Sequence, residues 1–320
     1  MTVSVFLTDE SRFLTSALAP EALNWDAGSL RHLASLQVPE RLLGHRRSIL
    51  RADINEQWAW WFVESLADPR RYALQQASYP QIFEDVFKGV QTCFAHLSKP
   101  ERKELASSTA RILLDFVRRL QKSQDRRRLS AEERWRLLDF AGTSPRCWIC
   151  GTRFLETAID NFLYRNSNTI SLPPFVDILK PRGLFQRDLS IEVDHIVPHS
   201  LGGGDSENLA LACGWCNRHK LAHTSIYDVE GRPRLAGSNA IGANSLPQPF
   251  WTVRLLATIR ACEHPEGCRR SADNSDVTVV PVHKTGALNP VNLRVTCYEH
   301  DPDAASRFQA HRVVRTAWKL

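Results

Sequence analysis

Residues 191–220 read IEVDHIVPHSLGGGDSENLALACGWCNRHK. The strand formers Ile191, Val193, Ile196 and Val197 frame an ionisable pair, Asp194-His195. Pro198 prevents a long ladder, and Gly202-Gly203-Gly204 supplies a tight return. Asn208-Leu209 begins thirteen residues after His195, and Cys213-x-x-Cys216 then leads into a short helix that starts at Cys216 and carries Asn217 to Leu221. Another Cys-x-x-Cys stands upstream at Cys147 and Cys150. Gly151 follows it and gives backbone amides room to turn toward thiolate sulfur. One such pair alone reads equally as a redox motif. Two of them bracketing this stretch have metal-ligand spacing, and predict a structural zinc site of Cys147, Cys150, Cys213 and Cys216.

In order and spacing, DHIVPHSxGG, the Asn-Leu pair and CxxCN(x2)K resemble the HNH nuclease family, in the branch whose ββα-metal hairpin is held by four cysteines. The resemblance covers residues 134–222. It implies a metal-dependent endonuclease that hydrolyses DNA, expected double-stranded. Such chemistry needs an activated water and a divalent ion that offsets charge developing on the phosphate. Carried over residue by residue, the resemblance makes His195 the base that activates water and Asp194 the metal-binding carboxylate on the first strand. Asn208 ties the loop to the strand and orients the base. Asn217 supplies the second metal ligand, with His219 its rival on the same helix. Arg218 and Lys220 would contact phosphates, and His199 would lie near the site. A carboxylate and an amide oxygen suit magnesium or manganese. The residues leave a second class open, a zinc-stabilised nucleic-acid-binding or adaptor protein without catalysis. Restriction or anti-phage defence enters by association alone.

Residues 262–300 read as a worn repeat of the same element. Cys262-x5-Cys268 stands in place of the knuckle, Asn292-Leu293 and Cys297 parallel Asn208-Leu209 and Cys213, and His300 takes the place of the fourth cysteine. Cys262, Cys268, Cys297 and His300 would make a second zinc site, with His264 a competing ligand. Val280-Pro281 sits where an Asp-His pair would be needed, so this copy is expected to be structural or DNA-binding.

Elsewhere the chain reads as helix. Over residues 54–67 the apolar stripe Trp58, Trp61, Phe62 and Leu66 predicts a packed face, ended by Pro69. Helices are expected over 81–97 and 101–124, the second ending in a basic run, Arg118, Arg119, Lys122, Arg126, Arg127 and Arg128. That run before the motif suits a phosphate backbone. Ser130-x-x-Glu133 is a capping box that starts a helix at Ala131, and Gly142 ends it. TRFLETAIDNFLY can form a helix, and the proline-punctuated segment up to Asp188 reads as loop. A helix from about residue 251 and a basic amphipathic helix in SRFQAHRVVRTAWKL close the chain, the latter leaving Arg307, Arg312, Arg315 and Lys319 more exposed. The expected class is therefore α+β. A helical module over 1–130, possible docking point for a protein partner, precedes a zinc-stabilised ββα-metal domain over 131–235. A linker over 236–250 and a degenerate zinc module over 251–320 follow.

A hydrophobic fraction of 43% and a charged fraction of 24% are those of an ordinary soluble protein, and a net charge of +6 favours an anionic partner. No run approaches the ~20 apolar residues of a membrane span. The start lacks a basic n-region, so a cytoplasmic location is expected. Eight cysteines in so long a chain make no disulfide framework. Cys93, outside the metal pattern, is expected to be a buried core thiol.

Overall fold

The computed structural model describes residues 8–75, 77–122, 128–198, 201, 203, 208–237 and 245–320. The expectations for His199, Gly202, Gly204, Arg126 and Arg127, for the side chain of Lys122, and for much of the linker over 236–250 fall outside the described residues. Two units divide the chain, Met1–Ala52 and Asp53–Leu320. The first holds α1 (Asp9–Ala17), α2 (Ala27–Ser35) and two 3-10 turns. Asp26 caps α2, its Oδ1 accepting from the amides of Gly28 at 2.7 Å and Ser29 at 2.9 Å.

Helix α3 (Arg47–Leu66) leads into the second unit, followed by α4 (Pro69–Gln75), α5 (Tyr79–Cys93) and α6 (Lys99–Lys122). Their core is written in three- and four-residue steps, with Ile82, Val86 and Val90 on α5 facing Ala106, Ala110, Leu113 and Val117 on α6. Small alanines on α6 let the two helices approach closely. The stripe read on α3 holds in part, since Phe62 and Leu66 pack against this core. Val63 is buried and Trp60 packs 4.8 Å from the Phe116 ring, whereas Trp58 and Trp61 are each 59% exposed. With four large apolar residues inside five positions, sequence period could not decide which edge faced inward. Cys93, expected in the core, is exposed at the end of α5.

Helix α7 (Ala131–Phe140) begins at the Ser130–Glu133 capping box, and Gly142 follows it at φ 78°. Buried Arg134 spans to α8 (Glu156–Tyr164), donating to the Leu163 carbonyl at 3.0 Å and to that of Leu129 at 2.9 Å. The segment expected to be loop contains β1 (Phe175–Asp177) and the short helix α9 (Gln186–Leu189). Strands β2 (Ile191–His195) and β3 (Leu209–Cys213) pair antiparallel, and α10 (Gly214–Lys220) follows directly, starting two residues before Cys216. After the short strands β4 (Arg234–Leu235) and β5 (Ser245–Leu246), α11 (Pro249–Ile259) precedes a second antiparallel pair, β6 (Val277–Pro281) with β7 (Leu293–Cys297).

The chain end is not one helix. It forms α12 (Ala304–Arg307), β8 (Phe308–Ala310) and α13 (His311–Trp318), and β8 pairs with β1 across more than a hundred residues. Val314, Ala317 and Trp318 are buried, and the Trp318 indole donates to the Ile178 carbonyl at 2.8 Å. Arg307, expected to be exposed, is buried between Asp177 at 3.0 Å and Asp301 at 2.7 Å. A buried guanidinium needs such carboxylates; Asp301 is near it in sequence, whereas Asp177 comes from β1, far upstream. Fully buried Asp53 on α3 ties the helical bundle to the rest of this unit, accepting from the Ile226 amide and the Arg254 guanidinium, each at 2.7 Å. Among the described residues no helix is long and apolar enough to cross a membrane.

Candidate metal and nuclease centre

The β2–β3 hairpin sets the geometry. Its register pairs Ile191 with Cys213, Asp194 with Ala210 and His195 with Leu209. Side chains alternate along a strand, so Glu192 and Asp194 share one face. On α10, residues three apart share a face, and Asn217 and Lys220 both turn to β2. The Asn217 amide donates to Glu192 Oε2 at 2.6 Å. Lys220 Nζ donates to Asp194 Oδ1 at 3.0 Å and to the His195 carbonyl at 2.6 Å. Trp148 Nε1 donates to the other Asp194 oxygen at 3.0 Å. Burial pushes the Asp194 pKa up, and the Lys220 ammonium and Trp148 indole oppose that rise.

Asn208 closes the loop between the strands. Its Oδ1 accepts from the Val197 amide at 2.7 Å, its Nδ2 donates to the Val197 carbonyl at 2.8 Å, and its own carbonyl accepts from the Ile196 amide. A side chain at Gly203 would collide with the Val197 carbonyl and the Asn208 amide, so the loop needs glycine there.

The structure does not gather all the sequence candidates. His219 lies on the side of α10 away from Asn217, with its ring 4.8 Å from buried Trp215. Burial, reinforced by Arg218 and Arg234, lowers its pKa to about 4. Arg218 pairs with fully buried Asp188 at 2.7 Å, and Lys220 is buried against Asp194, so both cations already have carboxylate partners. Two participants were absent from the sequence reading. Glu192 was detectable, since it stands two residues before Asp194 in a strand. Trp148 carried no signal, because nothing in the knuckle sequence tells where its indole points.

Cys147, Cys150, Cys213 and Cys216 come together in a buried cluster that could hold a metal ion, and Cys262, Cys268, Cys297 and His300 form a second, partly buried one. In each set the ligand atoms lie within 4.8 Å of one another. Sγ of Cys150 and Cys213 are 4.0 Å apart, while His300 Nδ1 is 3.6 Å from Cys262 Sγ and 3.5 Å from Cys297 Sγ. Tetrahedral coordination with metal–sulfur bonds of ~2.3 Å places sulfurs about 3.8 Å apart, so both sets have the right spacing. Burial drives the Cys147 and Cys216 thiols well up, and pushes Cys262 up to about 11. Thiols so buried need a cation before they can ionise together. His264, the competing ligand, stacks on the His300 ring at 3.9 Å instead of joining the cluster.

The two clusters sit in the same scaffold. In the first, the amide of Cys147 donates to Thr152 and that of Trp148 to Leu211, each at 2.9 Å. In the second, Cys262 donates to Arg270 and Glu263 to Val295, again at 2.9 Å. Asn292 repeats the Asn208 clasp, its Oδ1 accepting from the His283 amide at 2.7 Å and its Nδ2 donating to the His283 carbonyl at 3.0 Å. Register then sets Val280 and Pro281 at the positions of Asp194 and His195, and a single 3-10 turn, Tyr298–His300, replaces α10.

A family model described as HNH endonuclease matches residues 183–222. No curated protein and no solved structure matches the chain. The matched residues run from the approach to β2 through the end of α10, so within this α+β chain residues 183–222 form an HNH endonuclease domain.

Proposed function

We propose that this protein is a metal-dependent endonuclease that hydrolyses phosphodiester bonds of double-stranded DNA. The observation that carries the reading is the meeting of β2 and α10. Asp194 and His195 end the strand, Asn208 clasps the loop behind them, and Asn217 faces the same strand from the helix. Glu192, Asp194 and Asn217 offer two carboxylates and an amide, oxygen donors that fit magnesium or manganese. Bound there, such an ion would offset the charge that develops on the phosphate and the leaving oxygen.

The remaining work belongs to side chains. Imidazole, with an ordinary pKa of ~6.5, suits the base, and His195 would take the proton of the attacking water. The new oxygen–phosphorus bond forms as the bond to the 3′ oxygen breaks, leaving a 5′-phosphate, and the departing oxygen takes a proton from solvent to become the 3′-hydroxyl. Lys220 holds Asp194 and the His195 carbonyl together, so the metal-binding carboxylate and the base would share one anchor. Arg218, one third exposed and balanced by Asp188, stands closer to solvent as a phosphate contact than buried Lys220 does. Zinc in the four-cysteine cluster would fasten the knuckle to the hairpin, and zinc in the Cys3His cluster would do so for the second copy. Neither would take part in the chemistry.

The rival reading is a zinc-stabilised binding or adaptor protein. Its support is the second copy, which keeps the scaffold with Val280 and Pro281 at the chemical positions. Supercoiled plasmid, incubated with the zinc-loaded protein and its His195→Ala variant, separates the two. Nicking or linearisation that requires added magnesium or manganese and disappears in the variant supports the nuclease. DNA bound but uncut by the wild type under every metal condition removes it.

A further inference from the structure

Trp148 has every hydrogen-bonding group engaged. Its amide donates to Leu211 of β3 at 2.9 Å, its carbonyl accepts from Arg260 Nη1 at 2.6 Å, and its indole donates to Asp194 Oδ2 at 3.0 Å. The flanking cysteines, Cys147 and Cys150, anchor the knuckle on which it sits. We infer that Trp148 is a positioning residue for Asp194, and that Arg260, supplied by the second zinc module, holds Trp148 in place. This inference rests on the nuclease reading of Asp194.

The physical case has three parts. A neutral N–H donor fixes one carboxylate oxygen without adding charge, so it sets the direction of the other oxygen without competing for a cation. Lys220 also holds that other oxygen, so a metal ion bound there would share it with the ammonium, and the two contacts together leave the carboxylate one orientation. The second part is where Arg260 stands. It follows α11 in a left-handed conformation, φ 59°, and its guanidinium bridges the Trp148 carbonyl and Asp273. Further backbone contacts join the modules beside it. The Val277 amide at the start of β6 donates to the Cys150 carbonyl at 3.0 Å, and a side chain on Gly151 would collide with Ser275 and Ala272. The first knuckle is therefore seated on the second module.

The third part is a comparison inside the chain. Glu263 takes the place of Trp148 in the second copy, since its amide makes the equivalent bond to β7. Its carboxylate turns back to accept from the Val295 amide at 2.8 Å, and the residue at the Asp194 position is Val280, which needs no donor. The indole is present in the copy that has a carboxylate to hold.

Manganese binding to the full-length, zinc-loaded protein tests this without relying on cleavage. Free manganese is followed by its electron paramagnetic resonance signal in wild type, Asp194→Ala, Trp148→Phe, Arg260→Met and Arg260→Lys, with zinc content measured for each. Wild type should show a site that Asp194→Ala abolishes. Trp148→Phe should weaken it by about tenfold to a hundredfold with zinc content unchanged, the range expected when a partner of a metal ligand is removed. Arg260→Met should weaken it by about threefold or more, and Arg260→Lys should restore part of the loss by keeping one donor for the Trp148 carbonyl. Should Trp148→Phe lose zinc, the Arg260 pair decides the matter. Affinities within twofold of wild type in zinc-replete Trp148→Phe, or in both Arg260 variants, would overturn the relay while leaving the nuclease reading intact. A wild type without an Asp194-dependent manganese site would overturn both.

Discussion

The hairpin of β2 and β3 and the hairpin of β6 and β7 share a register, a knuckle and an asparagine clasp, but they end differently. The first carries Asp194 and His195 and continues into α10; the second carries Val280 and Pro281 and continues into one 3-10 turn. What is common to both is what the scaffold requires, and what differs is where the proposed chemistry would lie. The clasp falls on the common side. Asn292 bonds the His283 backbone much as Asn208 bonds Val197, in a copy with no Asp-His pair beside it. Loop closure is thus the first task of that asparagine, and any orientation of a base follows from it.

The largest expected effect would show how far the two copies share their dependence on metal. Cys213→Ala should remove one equivalent of zinc and the cooperative unfolding of the nuclease module, since a structural zinc site contributes on the order of 10 kcal/mol. Cys297→Ala should do the same at the second site. Metal analysis with thermal unfolding checks both, and Cys297→Ala with undiminished zinc would break the parallel.

The chemical difference comes next. His195→Ala should lower plasmid cleavage by about 10²–10⁴-fold, the usual contribution of a general base. His283→Ala, an exposed histidine of the second copy, should leave cleavage rates unchanged in the same assay. Equal losses in the two variants would mean that the copies divide the work.

The clasp offers a finer test. Asn208→Ala and Asn292→Ala each strip the loop of its partner and should each cost ~1–3 kcal/mol in chemical denaturation. Only Asn208→Ala should also slow cleavage. A stability cost confined to one of them would show that the shared hydrogen bonds do unequal work.

The smallest effect concerns His219. With its folded pKa lowered to about 4, against ~6.5 when unfolded, this group favours unfolding increasingly as pH falls from about 6.5 toward 4, because only the unfolded chain takes up the proton there. Imidazole resonances followed by NMR should show His219 neutral at pH 6. Protonation near pH 6.5 would contradict its burial against Trp215.

Much of the candidate site was legible before any coordinates. Cys-x-x-Cys spacing, the Asp-His pair in a β-branched run and the capping box at Ser130 are local signals, each set by sterics or ligand geometry within a few residues. The second Cys/His cluster was legible because it repeats the order of the first. Other features were not. Period alone could not rotate α3 so that Trp60 rather than Trp58 faced Phe116, and the terminal basic segment concealed a strand whose partner lies at Phe175–Asp177.

The amino-acid sequence by itself determined the hairpin, the two Cys-rich sets that could hold a metal ion and the Asp194-His195 pair, because short-range spacing encodes each of them. The tertiary structure decided what those groups touch. Lys220 turned inward to Asp194, Arg307 was buried between two aspartates, and Trp148 was set between Asp194 and an arginine from the second module. Buried charges and indole N–H groups must find partners wherever the folded chain brings them, and Arg260 stands 112 residues beyond the tryptophan it holds, a separation no local pattern records.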